Sequence, residues 1–405
     1  MQKSNTIIVA VFAFLLFGVR AEAAPFWEPG DVQLRHDLEM VADYWHRKTL
    51  TTTWPMAVDR SLLEPNTGTP AAVRSAMSRL KRKLAESGAS THDYHAHIKL
   101  SAAKLQEPVA LQTFQALPRE KGELEAGLEW TGDIFAWRLN AQLENEPSDD
   151  KKGRWDGSFL GAVAGNWIVS VGALDRWWGP GWDSSLILSQ NARPVPAFSI
   201  SRMENEPFDL PVLNLLGAWN VVAFAGQLDS ESTIPRTKLI GLRFSFAPAA
   251  GVEFGLSRTV QWGGEGQPQD AHSFIDAVIG RSNVAKYGEN TNQDNSNQLA
   301  GFDMRWVSPL FDRNYALYWQ LIGDDEAGYL PSQYMGLVGS EFWGQLNSGA
   351  SWRLIIEHVN THASFWNDIH DNVAYEHSTY TTGYRYFGKV LGASVDSDAR
   401  AARVT

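Results

Sequence analysis

Residues 175–196, DRWWGPGWDSSLILSQNARPVP, gather Trp177, Trp178 and Trp182 around Gly179, Pro180 and Gly181 and follow them with Asp183, Asn191 and Arg193. Neither a helix nor a ladder runs through such breakers, and three indoles are costly to leave in water. They need a partner. A flat indole face stacks on the apolar C–H face of a sugar ring, while neighbouring carboxylate, amide and guanidinium groups bond the hydroxyls. Asp175 and Arg176 add further groups of that kind beside the indoles.

Other constellations carry weaker chemistry. His95 and His97 share one face of an alternating stretch, as do His358 and His362, but no carboxylate or thiolate stands at a metal-ligand spacing from either pair. Both pairs are expected to face a polar interior. Asp324, Asp325 and Glu326 lack the spaced oxygen ligands and central glycine of a calcium loop. GWDSS lacks the glycines of a nucleophile elbow, and no histidine stands near Ser184 or Ser185. GGEGQPQD at 263–270 follows a β-pattern and opens no helix, which argues against a phosphate loop. The expectation is a protein with no catalytic residue, no metal and no cofactor.

The elements that must position the tryptophans follow from composition and period. The chain has 405 residues, a net charge of -11, 17 Trp and no Cys. An acidic balance offers no field to attract phosphates, so nucleic acid is excluded as a partner. Without disulfides, an exported chain of this length is held by packing or barrel closure. Export is expected because Lys3, the apolar run 7–19 and Ala21-Glu22-Ala23 compose a signal peptide over 1–23, and the run is too short to span a bilayer. Residues 24–90 then read as a small helical unit. Leu34, Leu38, Val41 and Trp45 recur at helical spacing over 32–47, and Val73, Met77, Leu80 and Leu84 do so over 70–87, with Pro70 in a first turn and Gly88 as a cap. So few residues form little core, and the unit must dock on something larger.

From residue 91 the period becomes two. Alternation in HDYHAHIKLS, ELEAGLEW and FAWRLNAQLE marks strands with one apolar and one polar face. About fourteen such strands are expected, near 92–104, 123–131, 134–145, 156–163, 166–174, 197–203, 217–228, 236–246, 252–260, 297–307, 314–323, 333–343, 350–359 and 383–391. Short connections at 132–133, 164–165, 248–250 and near Asn347 alternate with long ones at 105–122, 146–155, 175–196, 261–296 and 360–382. The connection at 204–216 is the exception. Short turns on one rim and long loops on the other define an antiparallel outer-membrane β-barrel, an all-β transmembrane fold. Glu125, Glu129, Arg138, Asn140, Gln142, Glu144, Arg243, Asp303, Arg305, Arg353 and Glu357 then face the lumen. The tryptophan stretch begins where a strand reaches the long-loop rim. Two readings of it stay open: a sugar platform, or part of the aromatic girdle of a barrel rim, although a girdle needs no charged neighbours.

RWWGPGWDSSLILSQNARPVPAFSISR, with GDVQLRHDLEMVADYW and WP at 54–55 before it and NEPFD, GFDMRW and GYRYFGKVLGASVDSDAR after it, resembles the capsule assembly protein Wzi family of Gram-negative outer membranes. The resemblance runs from about 26 to about 403. It implies an eighteen-stranded barrel with an N-terminal helical plug, a lectin holding capsular or extracellular polysaccharide at the cell surface, and no catalysis. The family motif falls on Arg176, Trp177, Trp178, Gly179, Pro180, Trp182, Asp183, Asn191, Arg193, Pro194 and Arg202, whose role as glycan contacts or lumen braces the resemblance leaves open. The chain stops at Thr405 in a polar tail, so 91–405 is expected to be a barrel incomplete at its C-terminus, with about fourteen of the eighteen strands. Expected partners are the polysaccharide and outer-membrane lipid and lipopolysaccharide, with a monomeric state. A channel or porin is the competing reading of the charged lumen, and an outer-membrane hydrolase a third.

Overall fold

The computed structural model describes residues 26–405 except 46–47, 58–59, 64–67, 87–92, 104–110, 281–295, 310–313, 328–329, 347–349 and 366–367. The expected signal peptide, the cap at Gly88 and the turn near Asn347 lie outside the described residues.

Alternation of apolar and polar side chains sets the wall. Along 238–249, Leu239, Arg243, Ser245 and Ala247 are buried, while Leu242 is exposed and Ile240, Phe244 and Phe246 are half-buried. The same division recurs around the sheet and leaves Leu139, Leu160, Val171, Phe198, Leu256, Phe302, Val338 and Ile356 on an apolar outer face. That face suits hydrocarbon, and the polar inner set does not. The strands are β1 (Tyr94–Ala102), β2 (Gly122–Thr131), β3 (Phe135–Asn145), β4 (Phe159–Ala164), β5 (Trp167–Gly172), β6 (Ala197–Arg202), β7 (Ala218–Gln227), β8 (Lys238–Ala249), β9 (Val252–Trp262), β10 (Ser296–Val307), β11 (Tyr315–Ala327), β12 (Leu330–Gln345), β13 (Ser351–Phe365) and β14 (Arg400–Val404). Each pairs antiparallel with its sequence neighbour. Two short pieces share positions with these strands: Gly153–Arg154 lies beside β3 with β4, and Asp368–His370 lies beside β13 with β14. β1 and β14 are the sheet edges and do not pair with each other among the described residues.

Four local expectations are corrected. The stretch 383–391 is no barrel strand; Arg385–Tyr386 and Lys389–Val390 pair with one another, and β14 supplies the ladder instead. Residues 371–399 therefore form an excursion out of the sheet, too polar and too irregular in alternation to continue the wall. Residues 263–270 do open a helix, α3 (Ala271–Ile279), but the Asp270 carboxylate already accepts from the N–H groups of His272 and Ser273, so the first turn is capped from within the chain. β11 runs on through Asp324, whose carboxylate accepts a 2.6 Å bond from the Tyr375 N–H. His358 lies on the outer side of β13, because the alternation that buries Glu357 turns its neighbour outward.

The N-terminal helices fold as their spacing requires. α1 (Val32–Trp45) is capped by the Asp31 carboxylate, and its Leu34, Leu38 and Val41 pack with Val73, Met77 and Leu80 of α2 (Ala71–Glu86). The charged side of α1 is equally buried, with Arg35 and Glu39 both 0% exposed. Unpaired charges are not tolerated at such depth, so the helix must find partners on the barrel wall.

Candidate functional site

Those partners lie on the inner faces of β10, β12 and β13. Glu39 accepts from Arg35, Arg305 and Arg353 at 2.8, 3.3 and 2.7 Å. Asp43 takes Arg305 at 3.0 Å, and Glu341 joins both Arg305 and Arg353. Three guanidinium and three carboxylate groups thus neutralise one another between plug and wall. Further along, Glu253 accepts from the N–H and hydroxyl of Thr51 and Thr52, and Arg243 reaches Thr52, Thr53 and Asp303. Of the expected lumen charges, Arg138, Arg243, Arg305 and Arg353 bond the N-terminal unit directly, whereas Glu125, Gln142 and Glu144 pair along the wall and its loops.

His36 carries a pH dependence. Burial, then the neighbouring Arg353 charge, push it down to about 4, in keeping with a neutral ring whose Nδ1 accepts from Arg353 Nε at 2.9 Å. Unfolded, it titrates near ~6.5. As pH falls below about 6.5 the unfolded chain gains a proton that the fold refuses, so stability declines until about pH 4, by on the order of 2–3 kcal/mol. Denaturant midpoints measured between pH 7.5 and 4.5 should fall, and His36→Gln should remove this part of the decline.

The tryptophan stretch turns inward. Trp177 and Trp178 pair as a short ladder with Trp54 and Thr53, and both indoles are completely buried. Phe114 meets Trp54, Trp177 and Trp182 at ring distances of 5.2, 5.5 and 6.1 Å. The Arg35 guanidinium lies 4.1 Å from the Trp182 ring and donates to the carbonyls of Gly181 and Pro180 at 2.7 and 2.6 Å. From the wall, Gln320 donates to Trp178 O and accepts from Leu186 N, while Glu357 accepts from Trp182 N and Tyr318 Oη. The breakers make this possible. Gly179 has φ +141°, and a Cβ at Gly181 would stand 2.1 Å from Ser184 O.

The eight candidate residues therefore separate. Arg176 is buried, lies 4.2 Å over Phe224 and donates to Ser199 Oγ. Asp183 meets Arg403 at 3.4 Å. Arg202 lies at the opposite, short-turn end of β6, 3.9 Å over the Trp219 ring, because the strand carries it away from the loop. Asn191 and Arg193 alone of the eight reach an opening, a narrow cleft with about 30 Å³ of free space lined also by Gln112, Arg119, Glu120, Ser148, Asp149, Arg154, Tyr386, Phe387 and Lys389. All belong to long-loop connections.

The buried charges in the cleft are already matched. Arg193 makes a two-pronged bond to Asp156 at 2.8 and 2.9 Å and meets Asp149 at 2.6 Å. Burial opposes its charge, but Asp156 and Asp149 outweigh burial and hold it above its ordinary value. Arg154 joins Glu120 and Asp149, and Asn191 donates to Val390 O. The Arg193 guanidinium lies 5.0 Å from the Phe387 ring. Fixed donors and acceptors beside two aromatic rings suit a neutral, hydroxyl-rich ligand. Tyr386, Phe387 and Lys389 are not singled out by the sequence because 383–391 reads as a wall strand; the signals they do carry are an aromatic pair ahead of Gly388 and their place in the GYRYFGKVLGASVDSDAR stretch of the family resemblance.

Residues 89–405 match the family described as capsule assembly protein Wzi. A Klebsiella pneumoniae relative, an uncharacterized 55.8 kDa protein in the cps region, is 29% identical over 379 residues, which are 90% of this chain and 71% of the relative. A solved structure, Wzi of Escherichia coli, described as an outer membrane protein involved in group 1 capsule assembly and a carbohydrate binding β-barrel, is similar with a TM-score of 0.78 at 25% identity, over 94% of this chain and 80% of that one.

Proposed function

The chain belongs to the capsule assembly protein Wzi family, and on that premise we propose that it is an outer-membrane lectin that holds capsular polysaccharide at the cell surface through the cleft at its long-loop rim. The observation that carries this reading is the convergence of Asn191, Arg193, Tyr386 and Phe387 on one opening. Long loops face outward in outer-membrane barrels, which puts that opening on the side where capsule lies. In this reading residues 1–23 direct export, 24–90 plug the barrel, and 91–405 form its wall. The chain acts as a monomer by binding, without catalysis. Trp177, Trp178 and Trp182 serve as braces that fix the plug and the cleft floor, with Arg176, Asp183 and Arg202 as local supports.

Support for lipid and lipopolysaccharide contact comes from the outer face, where Val171, Phe198, Ile240, Trp262 and Phe274 border an apolar groove near the long-loop ends of the strands. The channel reading loses ground for a physical reason: the described lumen is filled by α1, by the tryptophan loop and by Tyr375 and Tyr384 of the excursion.

Phe387→Ala removes a stacking face without unpairing a charge, and Arg193→Lys keeps the charge but loses the fork. Each is expected to weaken polysaccharide binding about tenfold, a loss of roughly 1.4 kcal/mol within the usual range for an interface aromatic or a bidentate bond. Glycan-array or calorimetric binding to the folded variants checks this. Unchanged binding by both would move the site elsewhere on the rim.

A further inference from the structure

The excursion 371–399 leaves and re-enters the sheet at one place. Thr361 N–H donates to Ala399 O at 2.8 Å, and Thr361 Oγ1 bonds Asp396 O and Ala399 O, so the returning chain is pinned to β13 beside His362. Asp371 stands at the start of the excursion and Asp398 at its end. Both reach His362, and the three residues offer donor atoms that lie within 4.8 Å of one another.

We propose that His362, Asp371 and Asp398 bind one divalent transition-metal cation of the Zn²⁺ type, which clamps the neck of the excursion to the barrel wall. His362 Nδ1 already faces Asp371 Oδ1 at 3.2 Å. Asp398 is oriented independently, because its Oδ2 accepts from the Asn372 N–H at 2.8 Å. Its Oδ1 is shielded from solvent and has no hydrogen-bond partner among the described residues. A shielded carboxylate oxygen without a partner is costly, and a cation removes that cost. One imidazole with two carboxylates favours Zn²⁺ and its neighbours over Ca²⁺, which takes six or more oxygens. Zinc ligands stand roughly 2 Å from the ion, so small side-chain adjustments draw these donors together and leave a position for water. The chain spacing conceals this site, since both carboxylates arrive only when the excursion closes on itself.

The clamp holds a segment with work to do elsewhere. Tyr386, Phe387 and Lys389 of the excursion form one wall of the cleft. Coupling of the ion to polysaccharide binding rests on the lectin reading; the ion site itself does not.

The test is calorimetric titration of the folded full chain, without a polyhistidine tag, with Zn²⁺, alongside His362→Ala and Asp398→Asn, with exposed His272→Ala as control. Folding is checked by heat-modifiable gel mobility, and Asp371→Asn replaces any variant that fails it. One Zn²⁺ per chain, weakened at least tenfold in the site variants and unchanged in the control, is the expected result. Visible absorption of the Co²⁺ form should change with His362→Ala, reporting loss of the nitrogen ligand. No saturable Zn²⁺ binding, equal binding by His362→Ala, or displacement of Zn²⁺ by equimolar Ca²⁺ overturns the proposal. Polysaccharide binding with and without chelator is measured separately, so failure of the lectin reading and failure of the ion site give different results.

Discussion

Trp177→Ala is expected to lower the stability of the folded chain by about 3–5 kcal/mol, the usual cost of emptying a fully buried tryptophan site. The indole is 0% exposed, donates from Nε1 to Gly181 O at 3.0 Å and packs edge-on against Phe114. Its loss opens a cavity where plug, loop and wall meet, and the neighbouring Trp54 and Trp178 are restrained by the backbone ladder that joins 53–54 to 177–178. Denaturant unfolding in detergent, followed by circular dichroism and by protease resistance of the N-terminal helices, measures the effect. Polysaccharide affinity of the fraction that remains folded should be nearly unchanged. A large affinity loss without a stability loss would make Trp177 a sugar contact and reverse the bracing role given to it above.

Removal of Glu39 should be comparable in size and different in kind. Among the described residues, Glu39 is the one carboxylate that touches Arg35, Arg305 and Arg353 together. Breaking a buried ion network from one side leaves uncompensated charge, typically at a cost of about 3–5 kcal/mol. Glu39→Ala is therefore expected to undock the plug, read as protease cleavage before residue 90 at denaturant concentrations where the wall is intact. Substituting Glu39 and Arg35 together by Leu and Met removes one charge of each sign, and should recover part of the loss. Equal behaviour of the single and double variants would mean that the network contributes shape and not charge balance.

Both results depend on features of unequal legibility. The wall was readable because a strand's side chains alternate with period two, and an outward face in lipid tolerates only apolar groups. Thirteen expected strands, from 92–104 to 350–359, coincide with β1 to β13 within a few residues, and the helical spacing of Leu34, Leu38, Val41 and of Val73, Met77, Leu80 places α1 and α2. The last expected strand failed because 383–391 mixes Gly, aromatic and basic residues without a sustained alternation, so only pairing could decide between it and 400–404.

What the sequence determined by itself is local: period, breakers, caps and the family motif, all of which act through neighbours a few residues apart. It marked Trp177, Trp178 and Trp182 as residues needing a partner, and their breakers as a sharp turn. Tertiary structure alone decided which partner. Arg35 lies 145 or more positions before the carbonyls it bonds, and Glu357 175 positions after the N–H it accepts from. The cleft joins Gln112 to Lys389, and the cluster at His362 gathers carboxylates from both ends of an excursion. No periodicity encodes such distances. They are set when the wall curves, the loop turns inward, and buried charges must each find an opposite.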